Sequence, residues 1–373
     1  MNYSNNEFIK KDIKIRNVGI DFMRILGMYA IIIHHILLHG KVIYKYKYIK
    51  LNLLNILCFW HVSSFALISG IVGYKNYKYS NLIYLWICTL FYSVIIHLIF
   101  RLYFPIFKNK QIFYEFFPVI FNRYWYFTEY FGMYLFLPLI NNGVINLNEN
   151  DFKILIISFH GIFIIWKDFI NFRSNIFHMN NGHSTIWLLS FFITGAYISK
   201  YKLKIYNKKS FLFCLKFITI FISSSILSYY PKYYNLNFNK FLVNKLKQIF
   251  DVRVNSFSMI LQSISLTLFI TTQINYSKIF EKIITFIGPL TFGVYLIHEH
   301  KFIRAYIITF LFKKIPIKLS LKVIIFLVLI KGILIFFICI IIDYLRNLIF
   351  YYLKVKKFCV FLEKSIKLIL KNI

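Results

Sequence analysis

The stretch Ile20–His39, IDFMRILGMYAIIIHHILLH, is the first long apolar segment of the chain and decides the fold. A segment of this length is typical of a membrane-spanning helix. Arg24 and His35 are eleven residues apart, about three turns, so they share one helix face with a drift of only about 20°. Asp21 and His39 lie within about 40° of His35 on that face. Ionisable groups are costly in a membrane helix, so this stripe predicts a polar cavity and an embedded enzyme or transporter.

Repeated apolar blocks continue along the 373 residues, 59% of which are hydrophobic. We expect an all-α, polytopic integral membrane protein with about ten transmembrane helices. The predicted blocks are 20–39, 53–73, 82–104, 124–142, 154–170, 184–199, 211–230, 256–274, 284–300 and 320–342. Residues 1–373 then form a single transmembrane domain with short cytoplasmic tails, about 1–19 and 350–373. The basic residues Lys and Arg at both ends favour the cytoplasm for both termini. The N-terminal segment lacks the pattern of a cleaved secretory signal.

The formal net charge is +32. One interpretation is attraction to anionic partners such as lipid headgroups, a phosphorylated donor or an acidic glycan. The other is a lysine-biased, AT-rich genome, because Ile, Lys, Asn, Phe and Tyr are all abundant. The basic residues lie in short loops between the predicted spans, so we expect membrane lipid and no nucleic acid among the partners.

Cysteine and histidine patterns do not predict a metal site. The five cysteines are scattered without a CxxC pair and are typical of buried small side chains. His34, His35 and His39 are close in sequence, but His35 and His39 lack an obvious third ligand. We therefore predict no metal ligands.

Depth along the helices separates two layers, because an α-helix rises about 1.5 Å per residue. His35, His61, Glu129 and His298 fall in one layer, which we predict to be the outer one. Asp21, Arg24, Lys75 and Lys78 fall in the opposite layer, which forms a basic mouth. This arrangement indicates two substrates that meet within the membrane, an anionic one from the cytoplasm and a hydroxylated one from outside.

Histidine suits proton transfer near neutral pH, so His35 is the candidate base and Glu129 a carboxylate that could orient it. Simpler interpretations stay open for several residues. Ser69-Gly70 could offer a nucleophile, but such a pair more often permits close helix packing. His34 and His160 are interpreted as structural and His39 as interfacial, whereas His178 and His183, in a polar loop, fit an acceptor site or plain solvation. Arg24 could pair with Asp21 instead of touching a donor.

Four segments in order resemble the membrane-bound acyltransferase-3 family, bacterial polytopic enzymes that O-acylate extracytoplasmic glycans. Asp21-Phe-Met-Arg24 with His35 resembles the first-helix signature, and Phe65 to Gly70 resembles the second-helix segment. Tyr124 to Asn141 resembles the segment that begins with Trp and ends in Pro. Phe292 to Glu299, followed by Arg304, resembles the late YLIH element. The sequence departs from many members after the second helix, where Lys75 and Lys78 replace arginines.

The resemblance implies roles for particular residues. His35 would be the catalytic base, assisted by Glu129, and Arg24 would support the donor site with Asp21, Lys75 and Lys78. The residues that would line the acceptor side or the chamber are His61, Ser69, Trp125, His298, Glu299 and Arg304. The co-substrate would be acyl-CoA, most often acetyl-CoA, with no bound cofactor. The acceptor would be a sugar hydroxyl of an envelope glycan or lipid-linked sugar, at the bacterial inner membrane.

The leading hypothesis is therefore an O-acyltransferase that modifies a cell-envelope glycan such as capsule or lipopolysaccharide. A transporter or flippase of a glycan or lipid-linked sugar is the alternative. No clear internal repeat supports it, and Gly288-Pro289, the best candidate for a broken helix, is predicted at a helix start. A non-catalytic partner of an envelope complex is the third reading.

Overall fold

A computed structural model of the chain describes residues 16–74, 77–104, 112–162, 179–233, 246, 253–254, 256–313, 315–316 and 318–371. Within these ranges the chain is helical, and no strand occurs. The first helices are α1 Val18–Leu38, α2 Val42–Tyr46, α3 Ile49–Cys58, α4 His61–Gly73, α5 Tyr79–Tyr103, α6 Phe113–Phe116, α7 Trp125–Asn146 and α8 Glu149–His160. The remaining ones are α9 Thr185–Tyr197, α10 Leu203–Tyr206, α11 Phe211–Tyr233, α12 Phe257–Leu268, α13 Lys278–Ile287, α14 Thr291–His298, α15 Thr309–Lys313, α16 Leu321–Tyr352 and α17 Val355–Lys371.

The predicted all-α membrane fold is confirmed, whereas the count of ten spans is not. Each predicted apolar block overlaps a helix, but six helical segments in the described ranges are long and apolar enough to cross a membrane. These are Val18–Leu38, Ile49–Gly73, Tyr79–Tyr103, Phe211–Tyr230, Lys278–His298 and Leu321–Tyr352. Several of the other blocks form helices that end sooner, such as α8 with 12 residues and α9 with 13.

Helix α1 lies at the centre of the molecule. It packs against α3, α4, α13, α14 and α16, and it buries Ile32, Ile33 and Ile36. Asn17 begins the helix, because its side-chain oxygen accepts a hydrogen bond from the Ile20 amide. The same Asn17 side chain donates to the Thr271 carbonyl and joins the start of α1 to the turn after α12. The stripe of polar residues on α1 is thus surrounded by other helices.

Helices α4 and α9 are in close backbone contact through two glycines. A Cβ atom at Gly70 would collide with the Phe192 carbonyl, and one at Gly195 would collide with the Leu67 carbonyl. Small residues allow such backbone contact between membrane helices. The packing interpretation of the Ser69-Gly70 pair is therefore confirmed for Gly70.

The Gly288-Pro289 break lies inside a span and not at its start. The apolar segment begins at Lys278, and a short 3₁₀ turn, Gly288–Leu290, separates α13 from α14. The sequence prediction was wrong on this boundary because α13 is amphipathic. Its charged residues, such as Lys278 and Lys282, interrupt the apolar pattern by which the start of the span would be recognised. A Cβ atom at Gly288 would come 2.8 Å from the Asp21 Cβ atom, so the break brings this backbone against α1.

The C-terminal segment predicted as a tail contains the end of α16 and the amphipathic helix α17. Helix α17 packs against α5. Glu363 on α17 accepts a hydrogen bond from the Ser80 amide in the first turn of α5, at 2.9 Å. It also accepts one from Lys367 at 2.7 Å. A carboxylate at a helix N-terminus is favoured by the helix dipole, so this contact fastens α17 to α5.

Candidate active site

A cavity of about 310 Å³ lies between α1, α4, α7 and the break before α14. Its wall includes both Arg24 and His35, which α1 holds about 16 Å apart along its axis. The other residues of the wall are Met28, Ile31, His61, Val62, Phe65, Ile68, Ser69, Leu85, Trp125, Tyr126, Phe127, Tyr130, Gly288, Pro289, Thr291, Phe292 and Tyr295. Five of the predicted site residues therefore share one cavity: Arg24, His35, His61, Ser69 and Trp125.

Arg24 is held by a buried carboxylate at one end of this cavity. The Asp21 side chain accepts hydrogen bonds from Arg24 Nη1 at 2.8 Å and from Arg16 Nε at 2.5 Å. Asp21 is 1% exposed, whereas the Arg24 side chain is 35% exposed. The two interpretations of Arg24 are compatible, because the guanidinium pairs with Asp21 and still lines the cavity. Two arginines on one carboxylate leave an excess positive charge at this end.

His35 pairs with Glu299 at the other end. The His35 Nδ1 atom lies 3.0 Å from Glu299 Oε2, and both side chains are buried. The other carboxylate oxygen of Glu299 accepts a hydrogen bond from Arg304 Nη1. An imidazole whose Nδ1 faces a carboxylate keeps Nε2 as its available nitrogen. This is the arrangement of a general base that is oriented by an acid.

Two further histidines surround His35. The ring centroids of His35 and His298 are 5.2 Å apart, and His61 lines the same cavity as His35. The Nδ1 atoms of His61 and His298 lie 2.6 Å from the carbonyl oxygens of Cys58 and Val294. Because a carbonyl only accepts, Nδ1 carries the hydrogen in both rings and each Nε2 is an acceptor. The structure thus brings His35, His61 and His298 together.

Glu129 lies apart from this group. Its carboxylate accepts a hydrogen bond from Thr185 Oγ1 at 2.7 Å, and the residue is not among those that line the cavity. Glu299, which the sequence assigned to the chamber wall, is the carboxylate at His35. Sequence reasoning missed this pairing. The available signal was the position of Glu299 beside His298, in the same predicted layer as His35.

Trp125, on the cavity wall, contacts His183 in the loop before α9. The ring of His183 lies 4.3 Å from the Trp125 ring, centroid to centroid, and Trp125 lines the cavity. His183 Nδ1 lies 3.1 Å from the Asn180 carbonyl oxygen, whereas His178 lies outside the described residues. Ser69 also lines the cavity, and its hydroxyl donates to the Phe65 carbonyl at 2.9 Å, so this hydroxyl is bonded within α4.

A family model described as an acyltransferase domain matches residues 17–344, which include the whole cavity wall and the His35–Glu299 pair. The chain belongs to the acyltransferase-3 family. No match was found among curated proteins or among solved structures. Family membership and the apolar helices together identify a membrane protein and an acyltransferase.

The predicted basic mouth of this acyltransferase is described in part. Lys75 lies outside the described residues. Lys78 precedes α5, where its amide and carbonyl bond to the Tyr134 hydroxyl, at 3.1 and 2.7 Å. Lys78 is not a residue of the cavity wall. Within the part of the chain that the structure describes, Arg24 and Arg16 are the two cations that share the Asp21 carboxylate at this end of the cavity.

A buried charge cluster of the acyltransferase domain, centred on Glu115, was not predicted from the sequence. The Glu115 carboxylate accepts hydrogen bonds from Ser93 and Lys301, both at 2.6 Å, and lies 3.2 Å from Arg123 Nη2. Burial by itself raises the pKa of the Glu115 carboxyl, but the hydrogen bonds from Lys301 and Ser93 outweigh it and hold this pKa below its usual value. The cluster joins α5, α6 and the segment that carries Glu299.

A second missed pair lies in α16. Asp343 and Arg346 are buried and share two hydrogen bonds of 2.8 Å from Arg346 Nη2, one to each carboxylate oxygen. Tyr92 donates to the same Asp343 carboxylate at 2.8 Å. The signal was present in the sequence, because an Asp and an Arg three residues apart in an apolar helix repeat the spacing of Asp21 and Arg24.

Proposed function

We propose that this acyltransferase moves an acyl group, most often acetyl, from acyl-CoA to a sugar hydroxyl of a cell-envelope glycan. One observation carries the proposal: a single cavity is lined by Arg24 at one end and by His35, paired with Glu299, at the other. A cation and a general base on one cavity suit an anionic donor and a hydroxyl acceptor.

The donor binds from the cytoplasmic side in this proposal. Arg24, fixed by Asp21, takes a phosphate of CoA, and Arg16 on the same carboxylate adds positive charge. The acyl thioester then extends through the cavity toward His35. The apolar wall, with Phe65, Phe127 and Phe292, excludes water that would otherwise hydrolyse the thioester.

The transfer step is direct. His35 Nε2 accepts the proton of the acceptor hydroxyl while its oxygen attacks the thioester carbonyl carbon. Glu299 faces Nδ1 and stabilises the imidazolium that forms. The tetrahedral intermediate collapses with cleavage of the carbon–sulfur bond, and the sulfur of CoA takes the proton from His35 Nε2 and leaves as the thiol. The products are the O-acyl sugar and free CoA, and both substrates are held in place for reaction by the shared cavity.

The acceptor is an envelope glycan or a lipid-linked sugar that enters near Trp125. An indole on the cavity wall offers an apolar face for a sugar ring, and His183 beside it offers a polar one. In this proposal, the residues that help to hold the acceptor in this outer region are Glu129, His61, His298 and Arg304. The protein lies in the bacterial inner membrane, with both termini in the cytoplasm, in this proposal.

The test uses purified protein in detergent, radiolabelled acetyl-CoA and an extract of the envelope glycans of the host. The variant is His35→Gln, and the matched control is His34→Gln, because His34 is next in sequence, bonds to Asn55 and is not on the cavity wall. We expect label transfer by the wild type and the control, and a rate lower by about 10²–10⁴-fold in His35→Gln. Transfer by His35→Gln at the wild-type rate would contradict the role of His35.

Transport is a second candidate, favoured by the break at Gly288-Pro289 within a span that lines the cavity. Broken helices at a midplane site are typical of transporters. Movement of a lipid-linked sugar in protein-containing vesicles without any acyl donor would support transport. Movement that requires acyl-CoA, or none at all, would favour acyl transfer.

A further inference from the structure

Three potential metal ligands converge at the outer end of α1. The available nitrogen and oxygen atoms of His35, His39 and Glu299 all lie within 4.8 Å of one another. His35 and His39 are four residues apart, so they occupy the same face of the helix, and their ring centroids are 5.0 Å apart. Glu299 reaches this face from the segment after α14. Sequence reasoning had found the two histidines but not a third ligand.

The facing atoms are free to bind a cation. His35 Nδ1 and Glu299 Oε2 are buried, and neither makes a well-aligned hydrogen bond within the described residues. Arg304 occupies Oε1 of Glu299, which leaves Oε2 directed at His35. An unpartnered buried nitrogen and an unpartnered buried oxygen 3.0 Å apart are costly unless they share a proton or a metal ion.

The donor set determines which ion fits. Two imidazoles and one carboxylate are the ligands of many zinc sites, in which the fourth position is left to water. Zn–N distances of about 2.0–2.1 Å require ligand atoms about 3.3 Å apart. His35 and Glu299, 3.0 Å apart, already come close to this spacing, and His39, partly exposed at the end of α1, needs to approach from within 4.8 Å, a movement of up to about 1.5 Å. The guanidinium of Arg304 lowers the affinity for a cation, which suits a reversible ligand better than a permanent one.

We propose that Zn²⁺ binds His35, His39 and Glu299 and inhibits acyl transfer. This inference rests on the proposed function of His35 as the base. Zn²⁺ replaces the proton between His35 Nδ1 and Glu299 Oε2, and that proton is released to solvent. The imidazole bound through Nδ1 to a dication is a much weaker base at Nε2. Glu299, now a metal ligand, no longer stabilises an imidazolium, so the metal-bound state cannot accept the proton of the acceptor.

The first arm measures binding and does not depend on activity. Co²⁺, whose visible absorption reports tetrahedral coordination by nitrogen and oxygen, is titrated into purified protein and then displaced by Zn²⁺. We expect one site in the wild type, its loss in His39→Gln and its retention in the control His34→Gln. Size-exclusion profiles in detergent establish that both variants are folded. An equal Co²⁺ spectrum in His39→Gln, or no spectrum in the wild type, would overturn the site.

The second arm measures acyl transfer with and without Zn²⁺. His39 is not on the cavity wall and exchanges no proton in the proposed reaction, so His39→Gln should keep its rate without metal and lose at least tenfold in sensitivity to Zn²⁺. The control should remain as sensitive as the wild type. Zinc binding without any acyl transfer would retain the site and reject the proposed function. Inhibition of wild type and His39→Gln at the same Zn²⁺ concentration would reject inhibition through this site.

Discussion

At the scale of single residues, the site depends on two buried carboxylates that each fix a cationic or ionisable partner. Asp21 holds Arg24 at one end of the cavity, and Glu299 faces His35 at the other. Neither carboxylate is on the cavity wall. We therefore expect their removal to disturb the substrates only through the residues that they position.

Replacement of Glu299 by Gln should slow acyl transfer without removing the base. The amide keeps the shape of the side chain but cannot stabilise the imidazolium of His35. General base catalysis contributes about 10²–10⁴-fold, so we expect His35→Gln to lose that much and Glu299→Gln a smaller part of it. The measurement is kcat for transfer from acetyl-CoA. A wild-type kcat in Glu299→Gln would show that the 3.0 Å contact has no catalytic role.

Replacement of Asp21 by Asn should raise KM for acyl-CoA more than it lowers kcat. The carboxylate holds Arg24 and Arg16, and the amide would leave the guanidinium of Arg24 less well oriented. We expect KM to rise several-fold in steady-state kinetics with varied acyl-CoA. The comparison variant Arg24→Lys keeps the charge but loses the planar fork, and it should show the same direction of change. An effect on kcat alone would contradict a donor role for this end of the cavity.

At the scale of helices, the contact between α4 and α9 leaves no space for added volume at its glycines. We expect Gly70→Ala to destabilise the protein by about 1–3 kcal/mol, because the new methyl group has no space beside the Phe192 carbonyl. The measurement is the midpoint of thermal unfolding in detergent.

Gly143→Ala is the matched control for this glycine. Gly143 lies in α7, and a Cβ atom there has nothing within 4 Å. Alanine favours a helix by about 0.5–1 kcal/mol over glycine, so this variant should be unchanged or slightly more stable. Equal midpoints for Gly70→Ala and Gly143→Ala would contradict the close contact of α4 and α9.

At the scale of the whole molecule, α17 joins the end of the chain to the start of α5. Burial raises the pKa of Glu363, but hydrogen bonds from Lys367 and the Ser80 amide outweigh it and lower that pKa to about 2. A carboxyl group with a depressed folded-state pKa stabilises the folded form above its ordinary pKa of 4.5. That stabilisation is lost as the pH falls from about 4.5 toward 2. We expect the docking of α17 on α5 to weaken in this range.

Cys359 reports this undocking, because it is buried on α17. Labelling with 2,2′-dipyridyl disulfide, which reacts with thiols in acid, should increase several-fold between pH 5 and pH 3. Mass spectrometry of the peptide that contains Cys359 separates it from the other thiols. Glu363→Gln should label faster already at pH 5 and change less with pH. Equal pH dependence in wild type and variant would contradict the contribution of Glu363.

Local patterns in the sequence were sufficient for the helices and for part of the site. Apolar blocks predict the helices because burial in lipid or protein imposes a composition on each segment. The shared face of Arg24 and His35 follows from helix periodicity alone. The partner of His35 does not, because Glu299 is 264 positions away and only the packing of α14 against α1 brings it there. Glu129 bonds instead to Thr185, a contact between α7 and α9 that no spacing indicates.

The rigidity of α1 has a consequence for the choice of donor. Arg24 and His35 lie on one continuous helix, so the distance between them along its axis is fixed at about 16 Å. An acyl carrier anchored by its phosphate at Arg24 must have an arm that covers this interval before its thioester reaches the imidazole. A carrier with a shorter arm would be bound but unproductive. The helix would therefore select donors by length as well as by charge.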